Sequence, residues 1–260
     1  MDHVLWLYGV THADQALPQA LPCALEAIPH RSFSAIVERV PRAEFTPEAL
    51  EVRMKSLEWI GATARRHQQV LSALLDAGPV IPARLCTLFS SRGAVEEALE
   101  AGRSRFSDSL DRLAGCREWG LKVYCDERRL AAELAVRASE AEIDAPALSP
   151  GRAYVLAKQR EARASEQASE RVDQAVDEIL DALEPVIAEA VERPLGARAK
   201  TDGATQALNL AVLLARGSEE AFQAVVEAEA RRLGPEGFCF ELSGPWAPYG
   251  FCNLDAPASA

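Results

Sequence analysis

Glu118-Trp119-Gly120-Leu121-Lys122-Val123-Tyr124-Cys125 is the stretch on which the fold turns. Trp119, Leu121, Val123 and Cys125 fall on alternate positions, so an extended chain sends all four to one side. That period of two marks a strand with one buried face. On both sides the period changes. Val95, Leu99, Phe106, Leu110 and Leu113 lie at helical spacing, with the pattern loosened at Gly102, and a short helix is predicted from Asp126 to about Val136.

Upstream, Val80-Ile81-Pro82 opens an edge or irregular strand towards Leu85–Phe89, because proline cannot donate to a ladder. Thr46-Pro47-Glu48 combines a capping hydroxyl, a proline at the first helical position and an acid in the first turn. The helix it starts carries Leu50, Met54, Leu57, Ile60, Ala64, His67, Leu71 and Leu74 or Leu75 as one stripe, and Gly78-Pro79 stops it. Val4–Val10 and Phe33–Val40 read as strands, joined by a connection containing Pro18, Pro22 and Pro29.

Downstream, residues 139–150 have no sustained period and contain two prolines, which suits a linker. A long helix follows Gly151, polar over Gln159–Arg171 and then striped by Val172, Val176, Ile179, Leu180, Leu183 and Ile187. The polar half reads as a solvated face, with partner contact as the alternative. Ala207–Ala215 suits a central strand or a buried helix. Ser218-Glu219-Glu220 begins a helix that Gly234-Pro235 ends, and Phe238–Leu242 is a last strand. The fold class is therefore α+β in two domains: a ferredoxin-like domain over 1–138, a linker over 139–150, and an α+β domain with a long helix over 151–254. Residues 255–260 form a tail.

The 28 basic residues stand against 39 acidic ones, a net charge of −11, which argues against a nucleic-acid phosphate backbone or an anionic membrane as partner. No run approaches the roughly 20 apolar residues of a spanning helix. The first residues lack the basic segment of a secretory signal, and six cysteines without a CxxC pair point to a reduced, cytoplasmic protein.

A reaction would need a nucleophile with its base, paired carboxylates, metal ligands or a phosphate loop. His67 sits on an apolar stripe, where a satisfied core histidine is the commoner outcome. His3, His12 and His30 share no metal spacing, nothing near Cys86 lowers a thiol pKa, and glycine-rich phosphate loops are absent. No catalytic residue, cofactor or metal is expected. The unusual segment is Gly244-Pro245-Trp246-Ala247-Pro248-Tyr249-Gly250-Phe251. Its aromatics and prolines suit a clasp on the chain's own C-terminal domain, or a set of anchors for a partner.

Taken in order, these pieces resemble the gas vesicle protein F/L family. Leu7-Tyr8-Gly9-Val10 is similar to its opening strand. His67 with Val80–Phe89, including Pro82 and Arg84, resembles its histidine and "vlPxrFGtxf" stretch, although Leu85-Cys86 stand where Phe-Gly is usual. Glu118–Val123 with Trp119 is similar to "EWxvKv", Gly151–Lys158 with Tyr154 to "GraYLlxK", and Leu208–Leu213 with Asn209 to "lNlafLv". Gly244, Pro245, Trp246, Pro248, Tyr249 and Phe251 match "GPWPPYsF", with Ala247 and Gly250 replacing Pro and Ser. The resemblance leans towards the F type, although the motifs of the two types overlap. It implies a non-catalytic assembly protein at the gas vesicle. Such a protein binds the hydrophobic shell protein, gas vesicle protein A, chiefly through its N-terminal domain, and contacts other accessory vesicle proteins. Arg84 is then a candidate for a specific ion pair. A small-molecule-binding or enzymatic ferredoxin-like protein is the competing reading.

Overall fold

A computed structural model of the chain describes residues 2–18, 21, 23–140, 150–196 and 203–252. It resolves into two compact units, Met1–Glu118 with Pro245–Ala260, and Trp119–Gly244.

In the first unit the sheet contains β1 (His3–His12), β2 (Leu25–His30), β3 (Phe33–Pro41), β4 (Ile81–Pro82) and β5 (Leu88–Phe89). Its order is β2-β3-β1-β4, with β5 also on β1, and every one of these pairings is antiparallel. The apolar run of β1 is long because both of its faces are covered. Leu5 and Leu7 enter one core while Val4, Trp6 and Tyr8 enter the other. The register then slips: Leu7 lies opposite Val37 but Gly9 lies opposite Ile36. The extra residue moves the alternation by one, so Val10 joins Leu5 and Leu7. Gly9 is required there, since a Cβ would come within 2.7 Å of the Ile81 carbonyl oxygen.

Helices cover both faces of this sheet. α2 (Leu57–Ala77) buries His67, Val70, Leu71 and Leu74 against one core; α3 (Arg92–Ala101) and α4 (Arg103–Leu113) bury Val95, Leu99, Phe106 and Leu110 in the other. Gly102 separates α3 from α4, as its loosened pattern suggested. The stripe predicted from Leu50 through Leu74 is broken. A short helix, α1 (Pro47–Arg53), is capped by the Thr46 hydroxyl, and the Ser56 hydroxyl caps α2 afresh by accepting from the Trp59 backbone N–H at 3.3 Å. The new start redirects the chain and leaves Val52, Met54 and Leu57 in solvent, Leu57 at 86% exposure.

The second unit contains most of β6 (Cys116–Cys125), then α5 (Glu127–Glu140), α6 (Pro150–Leu183), β7 (Glu189–Glu192), β8 (Thr205–Ala215), α7 (Glu219–Leu233) and most of β9 (Phe238–Trp246). Its sheet order is β7-β8-β6-β9. Trp119, Leu121, Val123 and Cys125 enter one core with Ile179 and Leu183 of α6, alternate residues of β8, and Phe222 of α7. The alternation read at the outset is therefore real, but it serves the second unit.

The expected boundary at 139–150 thus differs from the observed division at Glu118/Trp119 and Gly244/Pro245. Most of that linker, 141–149, lies outside the described residues, as does the 255–260 tail. The α+β class stands. In detail, the second unit follows the ferredoxin-like β-α-β-β-α-β element order, with α5 and α6 filling the first helical place. The first unit has an irregular connection between β1 and β2, and its β1–β3 pair is antiparallel, which needs no crossover helix. The polar half of α6 packs along α5, burying Ala164 and Ala168 while Tyr154 stays 67% exposed.

Candidate functional site

The histidine and the Val80–Phe89 motif meet at one carbonyl. The backbone N–H of Ala83 donates to the Tyr8 carbonyl at 2.8 Å, and the Ala83 carbonyl oxygen lies 3.0 Å from His67 Nε2. The other ring nitrogen, Nδ1, accepts from the Trp6 indole N–H at 3.2 Å. That acceptor role places the proton on Nε2, so the imidazole is neutral and donates to Ala83. The ring stacks on Tyr8 with centroids 5.1 Å apart, and His67 is only 3% exposed. Burial lowers its pKa from the ordinary histidine value, partly opposed by the bond to Ala83.

Tyr8 continues the network by donating its hydroxyl to Glu38 Oε2 at 2.8 Å, and Arg66 holds the other carboxylate oxygen. Burial, then the bond to Glu38, raises the Tyr8 pKa. A cavity of about 420 Å3 adjoins this network, lined also by Phe45, Arg53 and Trp59, and the Arg53 guanidinium lies over both of those rings. Arg84 is exposed and lines a different, mostly apolar cavity, so His67 and Arg84 do not share a pocket.

The motif's turn carries strain. Cys86 has φ +65°, in the left-handed region, at the position where the resemblance places a glycine. The chain keeps the glycine-type backbone without the glycine. The turn is held by Thr87, whose N–H and hydroxyl both donate to the Arg84 carbonyl, at 3.2 and 2.8 Å. Leu7 N–H in turn donates to the Thr87 carbonyl at 2.9 Å. Pro82 is buried opposite Gly9 in the edge strand, where no ladder donor is required of it. Cys86→Gly is expected to be more stable than Cys86→Ala by about 1 kcal/mol, because the two differ in the Cβ that opposes a positive φ. Urea midpoints of the two variants measure it, and equal midpoints would remove the strain argument.

The C-terminal motif completes the first unit, so the clasp acts there and not on the C-terminal domain as expected. Gly244, within β9, has φ +135°, a conformation in which a side chain would be strained. Ala247 is fully buried in the core that holds Trp6, Tyr8, Leu71 and Leu74. Pro248 and Phe251 are buried as well. Gly250 N–H donates to the buried Glu118 carboxylate at 2.6 Å, and Arg112 donates to the Phe251 carbonyl at 2.6 Å. Trp246 and Tyr249 remain 40% and 36% exposed.

Besides Gly244, three predicted positions lie in the second unit. Trp119 is a core residue whose ring lies 6.3 Å from that of Phe222. Asn209 extends the β7–β8 pairing: its side-chain amide donates to the Pro194 carbonyl at 2.8 Å and its backbone carbonyl accepts from Arg193 N–H at 2.7 Å. Tyr154 is a surface residue of α6. Sequence reasoning missed Glu118, Trp6 and Glu38. Only the place of Glu118 directly before the alternating Trp119–Cys125 run hinted at the first.

Among the described residues no cluster of three or more His, Cys, Asp or Glu suits a metal ion, and no helix is long and apolar enough to cross a membrane. Burial raises the thiol pKa of Cys86, takes Cys125 up to about 11 and pushes Cys252 up to about 12. These thiols are poor nucleophiles at neutral pH.

A family model described as gas vesicle synthesis protein GvpL/GvpF matches residues 4–253. Gas vesicle protein L of Streptomyces sp. (strain CB03234) is 31% identical over 265 residues, covering 97% of this chain and 94% of that protein. The crystal structure of GvpF from Anabaena sp. PCC7120 superposes with a TM-score of 0.67 at 19% identity, over 96% of this chain and 95% of that one. The crystal structure of GvpF from Microcystis aeruginosa gives the same TM-score and identity over 98% and 100%. At that identity the two crystal structures bear on the fold.

Proposed function

The chain belongs to the GvpL/GvpF family of gas vesicle synthesis proteins, and on that premise we propose that it is a non-catalytic assembly factor for the vesicle shell. It binds the small hydrophobic shell protein, gas vesicle protein A, in the cytoplasm and limits its aggregation during nucleation. Other accessory vesicle proteins are further partners. Family membership over nearly the whole chain carries this reading. The physical chemistry is compatible. A shell protein with exposed apolar surface needs a partner that covers it and stays dispersed. The net charge of −11 supplies the dispersion, and the α1–α2 corner, with Val52, Met54 and Leu57 in solvent, supplies apolar contact area on the first unit.

The competing enzymatic reading needed an open, titratable His67. Instead both ring nitrogens of that residue are engaged in the interior. Co-expression with gas vesicle protein A tests the assembly role. The shell protein is expected to move from the pellet to the supernatant when this chain is present, and to return to the pellet with a Val52→Ser/Met54→Ser/Leu57→Ser variant. Equal pelleting with and without the chain would sink the proposal. Retained solubility with the triple variant would move the contact elsewhere.

A further inference from the structure

Helix α1 has seven residues and buries none of them, and neither does the 3-10 turn Arg42–Glu44 that precedes it. Two turns of helix are too short to persist in water alone, so α1 depends on what its ends hold. At its start the Thr46 hydroxyl accepts from the Ala49 backbone N–H at 3.2 Å, a bond within the segment itself. At its end the Arg53 guanidinium lies 5.5 Å from the centre of the Phe45 ring and 5.7 Å from that of Trp59. The same group donates to Glu44 at 2.9 Å. Trp59 belongs to α2, so the last side chain of α1 ties it to the body of the first unit.

Beneath this tie lies the cavity of about 420 Å3 beside the histidine network. Its floor is fixed: Trp6 and His67 are buried and hydrogen-bonded to each other, and Tyr8 is buried against the imidazole. Phe45 packs edge-on against Trp6 with ring centroids 5.4 Å apart, which pins the chain just before α1. Of α1, it is Arg53 that lines the cavity. A pinned start, an unburied helix and a side-chain tie across a cavity are the parts of a lid. The tie is weak in kind. Both partners of the ion pair are partly exposed, and a partly exposed cation on an aromatic face is only modestly attracted. Contacts on that scale let a segment open locally while the domain around it stays folded.

Val52 and Met54 flank Arg53 in the chain and are exposed, as is Leu57 at the start of α2. The apolar corner and the latch are therefore parts of one segment. We propose that α1 is a lid that Arg53 holds shut, and that the shell protein, on docking at the α1–α2 corner, binds the opened form. Opening adds the aromatic walls of the cavity, Trp6, Phe45 and Trp59, to the surface offered to the partner. The docking step rests on the assembly role proposed above; the latch does not.

Amide hydrogen exchange of the full-length chain tests the latch. The amides of residues 50–54, corrected for intrinsic rates, are expected to exchange at least about a hundredfold faster than those of His67–Leu74. Arg53→Gln keeps the helix propensity and removes the cation. It is expected to speed the α1 amides on the order of tenfold, with the α2 rates and the urea midpoint unchanged. Glu44→Gln, which leaves both ring contacts in place, is expected to speed them by about threefold. Equal α1 rates in wild type and both variants, or α1 rates as slow as those of α2, would overturn the latch. Loss of α2 protection in Arg53→Gln would do the same, because Arg53 would then be a support of the fold.

Co-expression tests the docking step. A lid population shifted about tenfold towards the open form lowers by that factor the amount of chain that keeps half of the shell protein soluble. Arg53→Gln is expected to show this effect, and Arg53→Gln/Trp59→Ala to lose it. If wild type solubilises the shell protein and Arg53→Gln does no better, the docking step is overturned and the assembly role stands. If the shell protein pellets with both chains, the assembly role and the docking step fall together, and the exchange rates still decide the latch.

Discussion

Phe251→Ala is expected to cost the chain about 3–4 kcal/mol, the usual range for removing a buried aromatic ring from a packed site. Phe251 is almost fully buried, and its carbonyl is held by Arg112. One residue earlier, Gly250 N–H reaches the Glu118 carboxylate, itself buried. Loss of the ring loosens the anchor that keeps this charge-assisted bond in place, so the loss is not confined to packing. Trp246→Ala, at a half-exposed position, is expected to cost only about 1 kcal/mol. Urea unfolding of the two variants separates a clasp from a partner anchor. Comparable large losses at both positions would mean that the exposed half of the motif is structural too. A small loss at Phe251 would mean that the segment does not hold the first unit.

That clasp shows where sequence reading stops. The strand from Trp119 was visible because alternation is a local property, set by the two-residue repeat of an extended chain. Its owner was not visible, because which sheet a strand joins depends on contacts more than a hundred residues apart, such as Ser243 hydroxyl to Gly120 carbonyl. For the same reason the predicted boundary fell at 139–150 and not at Glu118/Trp119. β2 was hidden for a different reason. Pro29 sits within it, paired opposite Ser34 on an edge strand where a missing N–H is tolerated. The stripe from Leu50 onward was periodic enough to promise one long helix, but the Ser56 cap outweighed the period and left Leu57 outside. At the candidate site, His67 was legible as a core histidine from its stripe. Its partners Trp6 and Ala83 were not, since a hydrogen bond between distant segments leaves no mark in either of them.

The strand of β1 links these points to function. Its two faces serve two cores, and the bulge before Gly9 brings Val10 to the side of Leu5 and Leu7, so that each core carries one of the features used above. Trp6 and Tyr8 seat the histidine network on one side; Leu7 and Val10 wall the mostly apolar cavity on the other. A substitution at Gly9 would therefore disturb both.

His67→Ala is expected to destabilise the first unit by about 3–5 kcal/mol. The Trp6 indole N–H and the Ala83 carbonyl would each lose a buried partner, and the imidazole would leave a void between Tyr8 and the edge strand. The wild-type histidine also predicts a pH dependence. Burial holds its folded-state pKa below the unfolded value of about 6.5, so the neutral ring's contribution is complete above that pH. As pH falls below about 6.5 the unfolded chain takes up a proton that the folded chain resists, and stability is lost towards the lower folded-state pKa. His67→Gln removes this titration and keeps a side-chain amide able to donate to Ala83. The difference in unfolding free energy between wild type and His67→Gln should therefore shrink as pH is lowered from 7.5 to 5, a comparison in which contributions common to both chains cancel. A difference that stays constant over this range would mean that His67 is protonated equally readily in the folded and unfolded chains, and that its seat between Trp6 and Ala83 does not select the neutral ring.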